Sequence, residues 1–472
     1  MAERWSSNLG FLLASIGAAV GLGNIWRFSA VLGQNGGGAY LVPYLIAAFA
    51  FAVPLLVFEF AVGRALRTDV VSAFRGVGVN YTALGWVVAG SVLVILSYYL
   101  VLTGWVLGFL VATLLGVDLS FAGFTGTWWP VAAFVVTTVA TGGIVSLGVK
   151  EGIERLVKVV LPVVFVVIAG LAVYAATLPG FADALAFLFT PDLSVLADPG
   201  VWSAAVGQVF FSLSVGQGIM LTYAAYMDEN TDLWRSAVVI TVADVAIAIT
   251  AGLVIFPVVF TLGLAPTAGT ELAFTTLPRA FASMPGGRAV GVAFFGLLFF
   301  AALTSAVSLL EVGVAAATRS FEWSRAKATL ALTTGVFLLG VPSALSYGPS
   351  GFALGDVPFL DVLDESVGTL ALPVTAFLIA VVFTWVAPND TAERELGRAY
   401  PVVKYALPVL LPVLVALKVA GVARPAWSLT VDRLLAGLWT LPGLLVTLAV
   451  LGAAGWLLRR RARAPRRRNR RE

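Results

Sequence analysis

The chain has 472 residues, of which 60% are hydrophobic and only 11% charged; its formal net charge is +4, and it has no cysteine or histidine. A water-soluble domain carries charge on roughly a quarter of its residues, so this composition indicates a polytopic membrane protein. The missing residue types exclude disulfides, thiolate nucleophiles, cysteine-type zinc sites and histidine-dependent hydrolases. Backbone, hydroxyl, amide and carboxylate oxygens remain, and these suit hard cations.

Apolar runs of about 20 residues predict twelve membrane-spanning helices. They cover residues 9–31, 38–62, 84–115, 128–147, 153–176, 201–226, 235–262, 288–318, 327–344, 366–386, 401–420 and 439–458. An even number of spans puts both termini on one side. Most Lys and Arg then lie on that side, so the positive-inside rule predicts a multi-pass protein of the cell membrane with both termini in the cytoplasm.

The net positive charge comes from the end of the chain. Residues 459–472 contain nine Arg and one Glu, so the rest of the chain is net acidic. A basic segment directly after a last span is typical of a topology anchor that also contacts anionic lipids. We therefore expect the lipid bilayer as a partner and no nucleic acid, and the basicity says nothing about a substrate.

Two spans contain clustered glycines and hydroxyls, at residues 17–24 and 212–218. Such clusters weaken a helix, although glycines also allow close helix packing. The two spans are the first and the sixth, which occupy corresponding places in two halves of five helices. That arrangement predicts an inverted-repeat transporter with a site at two broken helices.

Five motifs carry a resemblance to a known family. They are GAAVGLGNIWRF at 17–28, NGGGAY at 35–40, SYY at 97–99, GQVFFSLS at 207–214 and AALTS at 301–305. Together they resemble the neurotransmitter:sodium symporter family, whose bacterial members have the LeuT fold, and the similarity covers about residues 5 to 386.

The resemblance implies an all-α membrane protein with 12 transmembrane helices, a 5+5 inverted repeat, and broken helices 1 and 6. Its parts would be a first repeat (1–176), a second repeat (201–386), the last two spans (401–458) and the basic cytoplasmic tail (459–472). The last two spans match the family only in number and position, and an oligomer through them is possible.

The implied function is a sodium-coupled symporter, not an enzyme, that imports a neutral, hydrophobic or aromatic amino acid by alternating access. Na⁺ is expected at two sites, and no organic cofactor. One alternative is a non-transporting amino-acid receptor or sensor on the same fold. Such proteins usually carry long cytoplasmic signalling domains, which we do not expect here. Another is a proton-coupled exchanger, which commonly lacks the hydroxyls that Thr304 and Ser305 supply here.

The resemblance also implies the sodium ligands. The first sodium would bind Ala19, Asn24, Ser212 and Asp244. The second would bind Gly17, Val20, Ala301, Thr304 and Ser305. Read alone, the Thr-Ser pair would more simply bond to its own helix. Asp244 stands where the LeuT-type pattern can carry a neutral Asn, and a carboxylate inside a membrane is costly unless it is paired or functional. We predict that it binds sodium directly and makes transport chloride-independent.

The implied substrate pocket has twelve residues. They are Ala18, Ala19, Leu22, Gly23, Ile95, Tyr99, Phe211, Ser212, Ser214, Gln217, Ser305 and Leu309. Tyr99 would donate a hydrogen bond to a substrate carboxylate, for which Ala18 leaves room. Gln217 either bonds to freed helix carbonyls or contacts a polar or indole-bearing side chain. The individual amino acid is not fixed by these residues.

Gating residues and two further intramembrane acids complete the predictions. The outer gate would consist of Arg27, Asp364, Tyr99 and Phe211. The inner gate would consist of Trp5, Tyr226 and Arg319, with a reversed ion pair between Glu3 and Arg319. Glu59 is expected to accept hydrogen bonds from unwound backbone. Glu311 either does likewise or relays protons.

Overall fold

A computed structural model of the protein describes residues 3–266 and 272–419, which form twenty α-helices and one β-hairpin. The helices of the first half are α1 (Asn8–Ala19), α2 (Phe28–Gln34), α3 (Leu41–Ile46), α4 (Val53–Leu66), α5 (Val70–Val77), α6 (Thr82–Leu115), α7 (Phe121–Thr125), α8 (Trp129–Ser146), α9 (Arg155–Ala175) and α10 (Phe181–Phe189). Those of the second half are α11 (Pro199–Ser212), α12 (Ile219–Ala224), α13 (Leu233–Thr261), α14 (Leu277–Ser283), α15 (Gly287–Ser320), α16 (Arg325–Ala344), α17 (Phe359–Leu363), α18 (Leu372–Val381), α19 (Asp390–Leu396) and α20 (Leu407–Val419).

Shorter helical turns and the hairpin connect these helices. The π-helical turns are Gly23–Arg27, Ala47–Ala52, Val149–Glu154, Leu272–Thr276, Asp364–Ala371, Val382–Val386 and Val402–Ala406. The 3₁₀ turns are Gly37–Tyr40, Val79–Tyr81, Leu193–Ala197 and Gly397–Ala399. The hairpin pairs β1 (Ala353–Leu354) with β2 (Val357–Pro358) in antiparallel register. π-Helical turns are frequent at functional sites, and one of them lies in the first span.

Length and hydropathy make eight helical segments of the described chain suitable to cross a membrane, or up to ten when two bent pairs are counted. The eight are Gly37–Leu66, Val79–Leu115, Trp129–Ser146, Val149–Ala175, Leu233–Thr261, Gly287–Ser320, Arg325–Ala344 and Phe359–Val386. Each of the first eleven predicted spans overlaps described helices. The predicted span 439–458 and the tail 459–472 lie outside the described residues, and the division into two repeats stays a prediction.

The first predicted span is broken where its glycines are clustered. Helix α1 ends at Ala19 and a π-helical turn starts at Gly23, with a bend of 52° between the two parts. Val20, which caps α1, has extended backbone angles (φ −78°, ψ 108°). A helix that ends leaves its last carbonyls without partners in the helix, so the carbonyls at the end of α1 are available to other groups.

The sixth predicted span is interrupted between α11 and α12. Within residues 213–218, Ser214, Gly216 and Gly218 have positive φ angles of 54°, 77° and 72°. Gly216 also lies against the backbone of Ala376 in α18, 2.7 Å from where a Cβ would stand to the Ala376 Cα. A side chain at this position would thus meet both an unfavourable backbone conformation and a clash.

The broken segments lie between two groups of packed helices. On one side, α6 packs along α15, α8 and α16. On the other, α4 packs against α12 and α13. Helix α1 contacts α13, α9 and α15, so the break after it faces both groups. The prediction of a helical membrane protein is confirmed, and the interruptions at both predicted places are consistent with a broken first and a broken sixth span.

Candidate functional site

A buried polar cluster joins the break in the first span to α11 and α13. The Nδ2 of Asn24 donates to Oδ1 of Asp244 over 2.6 Å and to Oγ of Ser212 over 2.8 Å. The Ser212 hydroxyl also donates to Oδ1 of Asp244 over 2.8 Å. None of the three residues is more than 2% exposed. The structure thus brings together three of the four residues predicted for the first sodium, and the fourth, Ala19, is the buried last residue of α1.

Two further contacts of this cluster were not predicted. The hydroxyl of Tyr44 lies 3.5 Å from Oδ2 of Asp244, and Nε2 of Gln208 donates to the Gly23 carbonyl over 2.8 Å. Asn24 Oδ1 accepts from the Gly21 amide over 3.0 Å, so its amide nitrogen faces the carboxylate. A cation bound through the Asn24 side-chain oxygen would require the opposite amide orientation.

A second group of oxygens surrounds the hydroxyl of Ser305 in α15. Its Oγ lies 3.2 Å from the Val20 carbonyl and 3.3 Å from those of Gly17, Ala18 and Ala301. One hydroxyl donates one proton, so it satisfies only one of these carbonyls at a time. The cluster is therefore rich in available oxygen lone pairs, a property that suits a cation.

Thr304, the other hydroxyl residue predicted for the second sodium, bonds within its own helix. Its Oγ1 donates to the Ala301 carbonyl of its own helix over 2.9 Å, which is the simple alternative for a Thr in a membrane helix. All five residues predicted for the second sodium nevertheless converge around the break. Their role as ligands stays a prediction.

Glycines let three groups of the predicted pocket come close together. A Cβ on Gly21 would stand 2.6 Å from Ser305 Oγ and 2.8 Å from the Tyr99 hydroxyl. A Cβ on Gly23 would stand 2.8 Å from the Phe211 ring. Gly21 was not among the predicted site residues, although it belongs to the GAAVGLGN motif. The Tyr99 hydroxyl accepts from the Leu22 amide over 3.3 Å, so it already touches the broken segment.

The other predicted pocket residues are also in the interior. Ser214 donates to the Ala18 carbonyl over 3.0 Å, linking the two breaks directly. Buried side chains complete this set, at Ala18, Leu22, Ile95, Gln217 and Leu309. Among the described residues, the Gln217 carboxamide has no hydrogen-bond partner, so the structure lacks the predicted bonds to freed carbonyls.

Glu59 stabilises the break in the sixth span. Its Oε1 accepts a hydrogen bond from the Gly216 amide over 2.5 Å, and the side chain is fully buried in α4. An unwound backbone amide in a membrane has no water to bond to, so a carboxylate supplies the acceptor. The predicted role of Glu59 is confirmed.

On one side of the pocket lie the residues predicted for the outer gate. Arg27 places its guanidinium 4.3 Å from the centre of the Phe211 ring. Asp364 accepts a hydrogen bond from the Tyr98 hydroxyl over 2.9 Å. Thr369 connects the two, because it accepts from Arg27 over 3.5 Å and donates to the Asp364 carbonyl over 3.2 Å. Tyr98, which makes this bond to Asp364, was not among the residues predicted for the outer gate.

On the opposite side, which we call the terminal face, the N-terminal segment packs against α12. Trp5 donates through Nε1 to the Tyr223 carbonyl over 2.9 Å and through its amide to the Tyr226 carbonyl over 3.2 Å. The predicted pair of Glu3 with Arg319 is wrong. Arg319 points at the connection between α4 and α5, where it donates to Thr68 and to the Arg67 carbonyl. Glu3 instead lies 3.3 Å from Arg325.

Comparison with known proteins places this site in a family context. The sequence profile of the sodium:neurotransmitter symporter family matches residues 2–129 and 113–419. A sodium-dependent transporter of Methanocaldococcus jannaschii is 33% identical over 426 residues, or 84% of each chain. The crystal structure of MhsT in complex with L-phenylalanine superposes with a TM-score of 0.81 at 38% identity, covering 89% of this chain and 100% of that one.

A mammalian relative matches a shorter part. The sodium-dependent neutral amino acid transporter B(0)AT3 of Mus musculus is 29% identical over 291 residues, which are 54% of this chain and 47% of the relative. The profile match extends over most of the chain, and the fold agrees with the resemblance stated from the motifs. The chain is a multi-pass membrane protein that belongs to the sodium:neurotransmitter symporter family, a family of sodium-dependent secondary transporters rather than enzymes.

Proposed function

We propose that the protein imports a neutral amino acid together with Na⁺ by alternating access. The observation that carries this proposal is the buried cluster of Asn24, Ser212 and Asp244 beside a helix break. A carboxylate surrounded by neutral donors deep in the protein is costly unless a positive charge joins it. A co-transported Na⁺ would supply that charge, and its departure would leave the hydrogen bonds described above.

The amino-acid class of the substrate rests on the surroundings of the pocket and on relatives. The Tyr99 hydroxyl, next to the Leu22 amide, would bind the substrate carboxylate. No charged side chain belongs to the predicted set around Ile95, Phe211 and Leu309, which favours a neutral, hydrophobic or aromatic side chain. MhsT has been crystallised with L-phenylalanine, and B(0)AT3 is a neutral amino acid transporter by name.

Two Na⁺ ions and no chloride would accompany the substrate. The first would bind near Asp244, and the second among the carbonyls around Ser305. Because Asp244 provides a fixed negative charge, transport would need no bound chloride. The substrate carboxylate and the first Na⁺ would bind next to each other. Their binding would therefore be coupled, since each would raise the affinity of the protein for the other by the same factor.

The terminal face would lie in the cytoplasm of a cell membrane. This orientation follows from the excess of Lys and Arg in the loops and tails on the side of the termini. The break in the first span, between this face and the opposite gate, would be exposed to each side in turn.

Uptake into proteoliposomes tests the proposal. Radiolabelled L-phenylalanine should accumulate when an inward Na⁺ gradient is imposed, but not with K⁺ in place of Na⁺. Replacing chloride by gluconate should leave the rate unchanged. Uptake driven equally by a proton gradient without Na⁺ would favour an exchanger instead, whereas binding without any uptake would favour a receptor.

A further inference from the structure

Arg325 lies at the centre of an ion cluster at the terminal face. It is the first residue of α16, and its Nε donates to the Val145 carbonyl in α8 over 2.9 Å. Two carboxylates approach its guanidinium. Glu311 of α15 binds it through two contacts, of 2.6 Å and 3.2 Å, and Glu3 of the N-terminal segment through one, of 3.3 Å.

The two carboxylates differ in their access to water. The Glu311 side chain has no exposed surface, whereas that of Glu3 is 34% exposed. A buried carboxylate without its cation is strongly unfavourable, but a partly exposed one can be hydrated instead. When the cluster separates, the bond between Glu3 and Arg325 is therefore the one that breaks.

The N-terminal segment connects this bond to the interior. Trp5 packs edge-on against Tyr223, with ring centres 5.1 Å apart. The Tyr223 hydroxyl donates to Ser308 of α15 over 2.7 Å, and Tyr226 donates to Glu311 over 3.0 Å. Ser308 is thus covered from the terminal face, and it lies one helical turn from Thr304 in the predicted second sodium site.

We propose that Glu311 competes with Glu3 for Arg325 and thereby sets how readily the terminal face opens. This inference rests on the proposed function, in which that face opens during each cycle. Arg325 is held by α8 and α15, so it stays with Glu311 when the N-terminal segment leaves. Departure of Glu3 then leaves no unpaired buried charge. Without Glu311, the guanidinium would have Glu3 as its single carboxylate partner in the described cluster and would hold it more tightly.

The competition makes an unusual prediction, because neutralising the two carboxylates should have opposite effects. Glu3→Gln removes the bond that closes the face and should increase opening. Glu311→Gln leaves Arg325 to Glu3 and should decrease opening, while the amide oxygen still accepts from Tyr226. Glu322→Gln is a matched control. Glu322 lies in the connection between α15 and α16, close in the chain to Arg325, and it has no ion pair among the described residues.

Thiol labelling measures this opening without using transport. The chain has no cysteine, so Ser308→Cys gives a single reporter that differs from the native side chain by one atom. The alkylation rate is measured on the full chain in detergent, with K⁺ and no amino acid, in the reporter background and in each of the three variants combined with it. We expect a roughly two- to fivefold faster rate with Glu3→Gln, as for loss of a partly exposed ion pair, a slower rate with Glu311→Gln, and no change with Glu322→Gln.

Several outcomes would overturn the proposal. Faster labelling with Glu311→Gln would mean that Glu311 merely helps to close the face, and equal rates in all variants would mean that the cluster does not control it. If the folded Ser308→Cys reporter were not labelled in any variant and reacted only after denaturation, this face would not open. Sodium-dependent L-phenylalanine binding is measured on the same samples, which checks their folding and tests the proposed function separately.

Discussion

Asn24 donates a hydrogen bond to Asp244 over 2.6 Å although the two residues are 220 positions apart in the chain. The contact ties the break in the first span to the middle of α13. Any rearrangement of that break changes the surroundings of a buried carboxylate. Conversely, a cation that binds Asp244 alters the contacts of Asn24, and through Gly21 the segment that touches Tyr99 and Ser305.

Replacing Asp244 by Asn should weaken sodium binding. The variant keeps the shape and hydrogen-bonding capacity of the side chain but removes the fixed negative charge. We expect the sodium concentration needed for half-maximal L-phenylalanine binding to rise at least about tenfold, because a buried charge pair is worth more than 1.4 kcal/mol. Sodium titrations in chloride and in gluconate measure this effect.

The matched control for that substitution is Asp183→Asn in α10, whose side chain is exposed. It should leave the sodium titration unchanged. An Asp244→Asn protein with the native sodium dependence would show that Asp244 is satisfied by hydrogen bonds alone and is not a ligand.

A methyl group at Gly21 should abolish substrate binding. Gly21→Ala places a Cβ against both Ser305 and Tyr99, so the pocket and the second oxygen cluster are displaced together. Gly90→Ala in α6 is the control, because nothing lies within 4 Å of its new methyl group. Binding and thermal unfolding are measured for both. Normal binding by Gly21→Ala would place the substrate elsewhere.

Removing the hydroxyl of Tyr99 should weaken substrate binding through the carboxylate. A hydrogen bond to a charged group contributes about 1.5–3 kcal/mol, so Tyr99→Phe should lower the affinity for L-phenylalanine roughly 10- to 150-fold. The loss should be much smaller for L-phenylalaninamide, which lacks the carboxylate. Tyr174→Phe, whose hydroxyl bonds to the distant Pro285 carbonyl, serves as control. An equal loss for acid and amide would argue for a purely structural Tyr99.

Glu59→Gln should destabilise the protein and leave its substrate preference unchanged. The Gln side chain retains an acceptor for the Gly216 amide but no longer provides a charged one. Since charged hydrogen bonds exceed neutral ones by about 1–2 kcal/mol, we expect the unfolding temperature to fall by a few degrees. Thermal unfolding in Na⁺ measures the change. A rise in that temperature would contradict the stabilising role of Glu59.

The broken helices could be predicted because their cause is local. Glycines and hydroxyls at 17–24 and 212–218 weaken a helix wherever it lies, and Ser214, Gly216 and Gly218 do adopt positive φ angles. The intramembrane acids could also be singled out from the sequence. A charge buried in a membrane is costly, so each acid there needs a partner or a function.

The partners themselves depend on helix rotation and on topology. Arg319 lies near the end of α15. A small difference in the rotation of this helix about its axis turns the side chain towards another neighbour, which here is Thr68. Arg325 meets Glu3 across 322 positions, because the connection after α15 returns the chain towards the N-terminal segment. Nor does a Tyr-Tyr pair indicate which hydroxyl will reach Asp364.

The most direct test of sodium-coupled amino-acid transport is an equilibrium binding measurement. Radiolabelled L-phenylalanine is titrated onto the purified protein by scintillation proximity, in Na⁺ and in K⁺ at equal ionic strength, with the other neutral amino acids as competitors. We predict saturable binding in Na⁺ that is at least tenfold tighter than in K⁺, as for a coupling of about 1.4 kcal/mol. Equal affinities in the two cations for L-phenylalanine and for every competing neutral amino acid would contradict sodium-coupled amino-acid transport.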